Sequence, residues 1–138
     1  MTKGAFTCRL PATMKIVGTV VRGQGFAMLA FGLPTANLEI EAVVTLAPGV
    51  YVGYALAEGA RYNSVIYIGP QGSEKFEVHL FGFTGELYGQ SLEIEMGEMI
   101  SPSVPWESEE QMKAKVAADV ALAKAYFAGL DKTTNIHS

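Results

Sequence analysis

The sequence lacks the features of several specialised protein classes. Its 138 residues include one cysteine, Cys8, so neither an intrachain disulfide nor a cysteine-rich metal site can form. No apolar run approaches the roughly 18 residues that a membrane-spanning helix needs. The N-terminus also lacks the apolar core and small-residue cleavage site of a signal peptide. We therefore expect a cytoplasmic protein with no membrane partner.

Charge is equally scarce. Charged residues make up 17% of the chain and the net charge is −4, which disfavours a nucleic-acid partner bound through its phosphates. Hydrophobic residues make up 49%, enough for a buried core and too many for a disordered chain. We expect one domain at residues 15–130, with a flexible arm at residues 1–14, a polar tail at residues 131–138, and a monomeric state.

Short β-strands separated by turns account for most of the chain up to residue 96. Residues 50–56 and 62–68 form the two arms of a predicted hairpin. Residues 92–96 alternate between apolar and acidic side chains, which is typical of a half-exposed strand. Residues 26–31 form an apolar run whose structure periodicity does not assign.

One helix is predicted after the strands. Ser108 and Gln111 have the spacing of an N-terminal capping box, and Gly129 is a natural stop, so the helix has about 20 residues. An apolar stripe at helical spacing is formed by Met112, Val116, Val120, Ala123 and Phe127. Five or six short strands followed by one helix indicate a small closed antiparallel barrel with the helix packed across it.

The segment at residues 32–37 (GLPTAN) admits two interpretations. Pro34 and Asn37 are typical of a tight turn. Thr35 and Asn37 also offer two neutral oxygens, which suit a hard cation such as Mg²⁺. Glu77 fits a solvated strand position. The chain has neither a Walker-type phosphate loop nor the protein-kinase motifs.

Five segments, taken in order, resemble the riboflavin kinase (flavokinase) family. They are residues 20–23 (VVRG), 32–38 (GLPTANL), 48–53 (PGVYVG), 77–81 (EVHLF) and 85–89 (GELYG). The resemblance covers residues 15–127 and implies a mainly β fold, a six-stranded antiparallel Greek-key barrel with a C-terminal helix packed on it. It also implies transfer of the γ-phosphoryl group of ATP to the 5′-hydroxyl of riboflavin, giving FMN and ADP. No adenylyltransferase-like segment precedes it, so we expect a stand-alone kinase domain.

The resemblance also implies roles for individual residues. Glu77 would be the catalytic base that accepts the proton of the ribityl hydroxyl. Thr35 and Asn37 would hold Mg²⁺, with Zn²⁺ or Mn²⁺ as alternatives. The residues expected at the nucleotide are Gly23, Thr35, Asn37, Leu80 and Tyr88.

The expected flavin-binding residues complete the site, which departs from the family pattern once in the nucleotide loop and once on the flavin side. Trp106 and Met99 are the expected flavin-binding residues, and Trp106 fits either ring stacking or docking of the helix. The family usually has a cation before the Pro-Thr-Ala-Asn block, where residues 26–31 are uncharged, and an arginine where this chain has Ser101. Two alternatives to an active kinase follow: a catalytically impaired flavin- or nucleotide-binding barrel, and a barrel that binds other proteins.

Overall fold

The computed structural model describes residues 14–21, 36–40, 46–69, 76–105 and 107–137. Within these ranges the chain forms six β-strands and then one helix. The elements are β1 (Met14–Val21), β2 (Ala36–Ile40), β3 (Gly49–Ala57), β4 (Ala60–Ile68), β5 (Phe76–Leu80), β6 (Ser91–Pro102) and α1 (Glu109–His137).

The strands close into an antiparallel barrel in the order β1-β2-β5-β4-β3-β6, with β6 pairing back onto β1. The predicted hairpin joins β3 to β4 through Glu58 and Gly59, whose positive φ values of 51° and 82° make a tight turn. Because β5 lies between β4 and β2, the arrangement is a Greek key. The predicted fold is confirmed.

Strand alternation separates the barrel interior from its outer surface. The interior cluster contains Ile16, Val20, Leu38, Tyr51, Ala55, Ala57, Ile66, Phe76, Val78, Leu80, Leu87, Leu92, Ile94 and Met96. On the outside of β6, Glu93 lies 3.6 Å from the Lys15 ammonium and Glu95 lies 3.2 Å from the Arg61 guanidinium. The predicted alternation of residues 92–96 is therefore confirmed.

Helix α1 packs on the outer surface of the barrel. Phe127 and Ala123 are buried there against Val50, Val52 and Val65. The Gln111 backbone N–H donates a hydrogen bond to the Ser108 hydroxyl at 3.1 Å, so Ser108 caps the helix as predicted.

The predicted end of the helix is wrong. Helix α1 has 29 residues and runs through Gly129 to His137, into the stretch expected as a polar tail. Gly129 does not have the positive φ that a C-terminal glycine cap requires.

Two glycines allow β3 and β6 to approach closely. A Cβ on Gly53 would lie 2.4 Å from the Glu95 carbonyl oxygen, and one on Gly97 would lie 2.6 Å from the Val52 carbonyl oxygen. The β3–β6 register shifts between Tyr51 and Gly53, so both glycines lie beside this irregularity. Backbone atoms cannot move aside as a flexible side chain can, so a larger residue would separate the strands.

Gly53→Ala should therefore lower the free energy of unfolding by about 1–3 kcal/mol, the usual effect of overpacking. The matched control is Gly129→Ala, where a Cβ would meet no atom within 4 Å. Alanine there should stabilise the helix by up to about 1 kcal/mol. Urea denaturation measures both changes, and equal effects of the two substitutions would contradict the close β3–β6 approach.

Candidate active site

One row of side chains crosses five strands on the outer surface of the barrel. In the strand registers, Asn37 lies opposite Glu77, Glu77 opposite Tyr67, Tyr67 opposite Val50, and Val50 opposite Ser101. Directly opposed residues point to the same face of a sheet. We call these five residues the outer row. Their chain neighbours Leu38, Ile66 and Val78 point into the interior.

Helix α1 covers part of the outer row and leaves a cavity of about 130 Å³ beneath it. Three row residues line this cavity: Glu77, Tyr67 and Val50. The other lining residues are Gly49, Ile68, Gly69, Ser103, Val104, Met112, Lys115 and Asp119. Apolar walls with a few convergent polar groups are typical of a small-molecule site, and the volume is below the roughly 300–1,000 Å³ of a site that encloses a whole drug-sized ligand.

A buried ion pair on α1 faces the cavity. The Lys115 ammonium lies 2.7 Å from an Asp119 carboxylate oxygen and donates a hydrogen bond to the Ser101 hydroxyl at 2.9 Å. The two side chains are 19% and 4% exposed. Removing one partner of such a pair leaves an uncompensated buried charge, which typically costs about 3–5 kcal/mol. Because Lys115 on the helix donates a hydrogen bond to Ser101 on the strand, the pair attaches α1 to the end of β6.

Tyr67 contributes a buried hydroxyl that has no hydrogen-bond partner in the described part of the chain. Burial raises the pKa of Tyr67 well above its usual range, and the negative charges of Asp119 and Glu77 raise it further. The hydroxyl therefore stays protonated at neutral pH. A buried unsatisfied polar group costs about 1–3 kcal/mol, so this donor is suited to a ligand atom.

Glu77 lines the cavity with only 7% of its surface exposed. It occupies the centre of β5, between Asn37 on one neighbouring strand and Tyr67 on the other. The two fixed strands hold its backbone in place. A buried carboxylate in such a position can accept a proton from a bound hydroxyl group.

Tyr88 and Asn37 are both placed beside the end of β1. The Gly89 N–H donates to the Val20 carbonyl at 2.8 Å, and the Val20 N–H donates to the Gln90 carbonyl at 2.9 Å. Asn37 pairs with Val21 on the other side of the same strand. Tyr88 is 49% exposed, so its side chain is accessible to a ligand.

The remaining predicted site residues are not all brought to the cavity. Leu80 is 6% exposed and belongs to the interior cluster, so its side chain does not join the outer row. Met99 is 40% exposed and lies against Gly49, which does line the cavity. Gly23, Thr35, Trp106 and the uncharged run at residues 26–31 lie outside the described residues, and their roles remain predictions.

The structure adds three residues that the sequence analysis did not single out: Tyr67, Lys115 and Asp119. Asp119 had a signal, because it lies between Val116 and Ala123 in the apolar stripe of the helix. A carboxylate in a buried stripe requires a partner, and Lys115 lies four residues before it. Tyr67 had no comparable signal, because its proximity to Glu77 depends on strand register.

The family model for riboflavin kinase (Flavokinase) matches residues 10–127. The chain belongs to the riboflavin kinase family. The expected family is thus confirmed, and the cavity beside Glu77 is the candidate active site of a family member.

Bifunctional riboflavin kinase/FMN adenylyltransferases are among the curated relatives. The protein from Haemophilus influenzae is 33% identical over 119 residues, covering 82% of this chain and 38% of the relative. The protein from Pseudomonas fluorescens is 32% identical over 117 residues, covering 80% of this chain and 37% of the relative. The chain therefore spans little more than a third of the length of these relatives.

A solved structure described as a macrolide-efflux protein from Streptococcus pneumoniae has a similar fold. Its TM-score to this chain is 0.73 at 25% sequence identity, and the match covers 82% of this chain and 39% of that one. In the described part of the present chain, no helix is long and apolar enough to cross a membrane.

Removing the Tyr67 hydroxyl should have different effects on the stability of the ligand-free protein and on the binding of a ligand. Tyr67→Phe should change the free energy of unfolding of the ligand-free protein by less than about 1 kcal/mol, because the hydroxyl makes no hydrogen bond to the described part of the protein. It should also weaken binding of the ligand that uses this donor. Denaturation with and without ligand measures both effects.

The pH dependence offers a check on the same variant. Because the pKa of Tyr67 is higher in the folded state than its ordinary value of 10.0, its contribution to stability is complete below that pH and falls as the pH rises further. Wild-type protein should therefore lose stability more steeply than Tyr67→Phe above about pH 10. Parallel curves would contradict the raised pKa.

Proposed function

We propose that this chain transfers the γ-phosphoryl group of ATP to the 5′-hydroxyl of riboflavin, forming FMN and ADP. The observation that carries the proposal is the position of Glu77, a buried residue that lines a cavity in a chain that belongs to the riboflavin kinase family. Phosphoryl transfer requires mainly positioning of the reactants and neutralisation of charge. A fixed cavity that contains the buried Glu77 carboxylate meets the first requirement for the acceptor.

Glu77 acts in this proposal as the general base. As the ribityl oxygen attacks the γ-phosphorus, its proton passes to the Glu77 carboxylate, and the bond between the γ-phosphorus and the β–γ bridging oxygen breaks to release ADP. Apolar Val50 and Ile68 line the same cavity and limit the access of water. Exclusion of water favours transfer to the flavin over hydrolysis of ATP.

The nucleotide side is proposed at the end of β1, beside Asn37 and Tyr88. The described residues contain no group of three or more His, Cys, Asp or Glu side chains that could hold a metal. Asn37 instead offers a neutral oxygen in the outer row next to Glu77. Such sparse oxygen donors fit Mg²⁺, which keeps several waters and takes further ligands from substrate phosphates. Asn37 with Thr35 would hold the ion, which would neutralise phosphate charge.

The alternative of a catalytically impaired barrel was based partly on Ser101, where the family usually has an arginine. The Lys115 ammonium lies within hydrogen-bonding distance of the Ser101 hydroxyl. A cation is therefore present at this position, although another element supplies it. This contact favours the active kinase over the impaired barrel.

One chain contains the whole outer row, so the proposed reaction needs no second subunit and we propose a monomer. The use of ATP fits the cytoplasm as the proposed location. The phosphate donor is the least constrained part of the proposal, so GTP and CTP belong in the assay beside ATP.

Replacing Glu77 tests the proposed mechanism. Glu77→Gln should reduce FMN formation by about 10²–10⁴-fold, the usual contribution of a general base. It should change riboflavin affinity little, because glutamine keeps the size of the side chain. Chromatography of reactions with riboflavin, Mg²⁺ and ATP measures FMN, and quenching of riboflavin fluorescence measures binding.

The matched control is Glu93→Gln on the barrel surface, where the carboxylate pairs with exposed Lys15. It should leave both FMN formation and binding unchanged. Undiminished FMN formation by Glu77→Gln would refute the assignment of the base. If the wild-type protein binds riboflavin but forms no FMN with any donor, the impaired barrel is the correct reading; if it binds no riboflavin, the protein-binding barrel is favoured.

A further inference from the structure

The cavity beneath α1 has two chemically different sides. Val50, Ile68, Val104 and Met112 provide apolar walls. The Lys115–Asp119 pair provides a charged end on the helix. A flat aromatic ring that carries hydrogen-bonding groups along one edge complements both sides, because its faces are apolar and its edge is polar.

The Lys115–Asp119 pair has hydrogen-bonding capacity beyond the contacts that hold it in place. An ammonium group has three N–H donors. Among the described residues, two are directed at Asp119 and Ser101, and the third is available to a ligand. The Asp119 carboxylate has further lone pairs besides the one that accepts from Lys115. One donor and one acceptor therefore lie side by side.

The position of the pair suits a ligand that also reaches Glu77. Ser101, which Lys115 contacts, lies three strands from Glu77 in the outer row. At the usual spacing of neighbouring strands, the backbones of Ser101 and Glu77 are about 14 Å apart. The side chains of Lys115 and Asp119 line the same cavity as Glu77. A molecule with a hydroxyl-bearing chain at one end and a ring at the other would span the row, with Val50 under the ring.

We propose that Lys115 and Asp119 recognise the pyrimidine edge of the isoalloxazine ring of riboflavin. Lys115 donates to a ring carbonyl oxygen, and Asp119 accepts the hydrogen bond of the ring N3–H. The pair thereby selects flavins with an unsubstituted imide edge. This inference rests on the proposed function, because it takes riboflavin as the ligand that reaches Glu77.

The test compares riboflavin with 3-methylriboflavin, which has the same ring and chain but lacks the N3–H. Fluorescence quenching gives the affinity of each. Wild-type protein should prefer riboflavin by about tenfold or more, since a site built for a hydrogen bond rejects an analogue that lacks the donor. Lys115→Met combined with Asp119→Leu should abolish this preference while retaining binding of 3-methylriboflavin within about threefold.

The double substitution is chosen because replacing both members of a buried pair by apolar residues is often neutral for stability. Circular dichroism checks its folding. If it does not fold, Lys115→Gln combined with Asp119→Asn serves instead, because it leaves no uncompensated charge and keeps the size of both side chains. It should reduce the preference at least about threefold, since a charged acceptor bonds more strongly than a neutral one. Lys113→Met, an exposed lysine on the same helix, is the matched control and should keep the wild-type preference.

The outcomes separate the two proposals. If the folded double variant still prefers riboflavin as strongly as wild type, the pair does not read the imide edge and this inference fails, whatever the FMN assay shows. If the substitutions raise the KM for ATP and leave the flavin preference unchanged, the pair binds the nucleotide base instead and the inference also fails. If wild-type protein binds neither flavin, the proposed function itself fails and this inference with it.

Discussion

The filled interior of the barrel is the constraint on which the rest of the structure depends. Six short strands close around apolar side chains such as Leu92, Ile94 and Val78, which are completely buried. Such a small barrel has no interior space for a ligand. A polar active site must therefore lie on the outer surface. A second element has to cover that surface in order to exclude water from the site. Helix α1 is that element, and the cavity lies where it crosses the outer row.

The covering helix introduces polar groups that packing alone does not explain. Asp119 is 3% exposed and depends on Lys115 for charge compensation, while the Tyr67 hydroxyl is buried without a partner among the described residues. Both features are less favourable than an apolar contact in the ligand-free protein. Groups of this kind concentrate where local stability has been given up for function. Their convergence on the cavity beside Glu77 supports the proposal that this side of the barrel is the functional one.

Sequence reasoning predicted the barrel, the hairpin at Glu58–Gly59 and the cap at Ser108, because each rests on local patterns. The alternation of residues 92–96 was also predicted, because a period of two is visible in the sequence itself. The helix end was missed, because glycine is compatible with helix when the following residues continue it.

The residues that surround the cavity with Glu77 were harder to predict, because their positions depend on contacts between distant parts of the chain. Tyr67 and Ser101 reach the site through the registers of strands that are distant in sequence, and such registers depend on the whole barrel. Lys115 and Asp119 are neighbours on one helix, yet their burial depends on which face of α1 meets the barrel. Local pattern fixes neither the register nor the docking of the helix.

The central claim is that riboflavin binds in the cavity between the outer row and α1. Nuclear Overhauser contacts between flavin ring protons and protein methyl groups test it most directly. The structure predicts contacts to the methyl groups of Val50 and Met112, which line the cavity on the barrel and on the helix. Contacts instead to Val17, which is 54% exposed on β1, with none to Val50 or Met112, would contradict the claim.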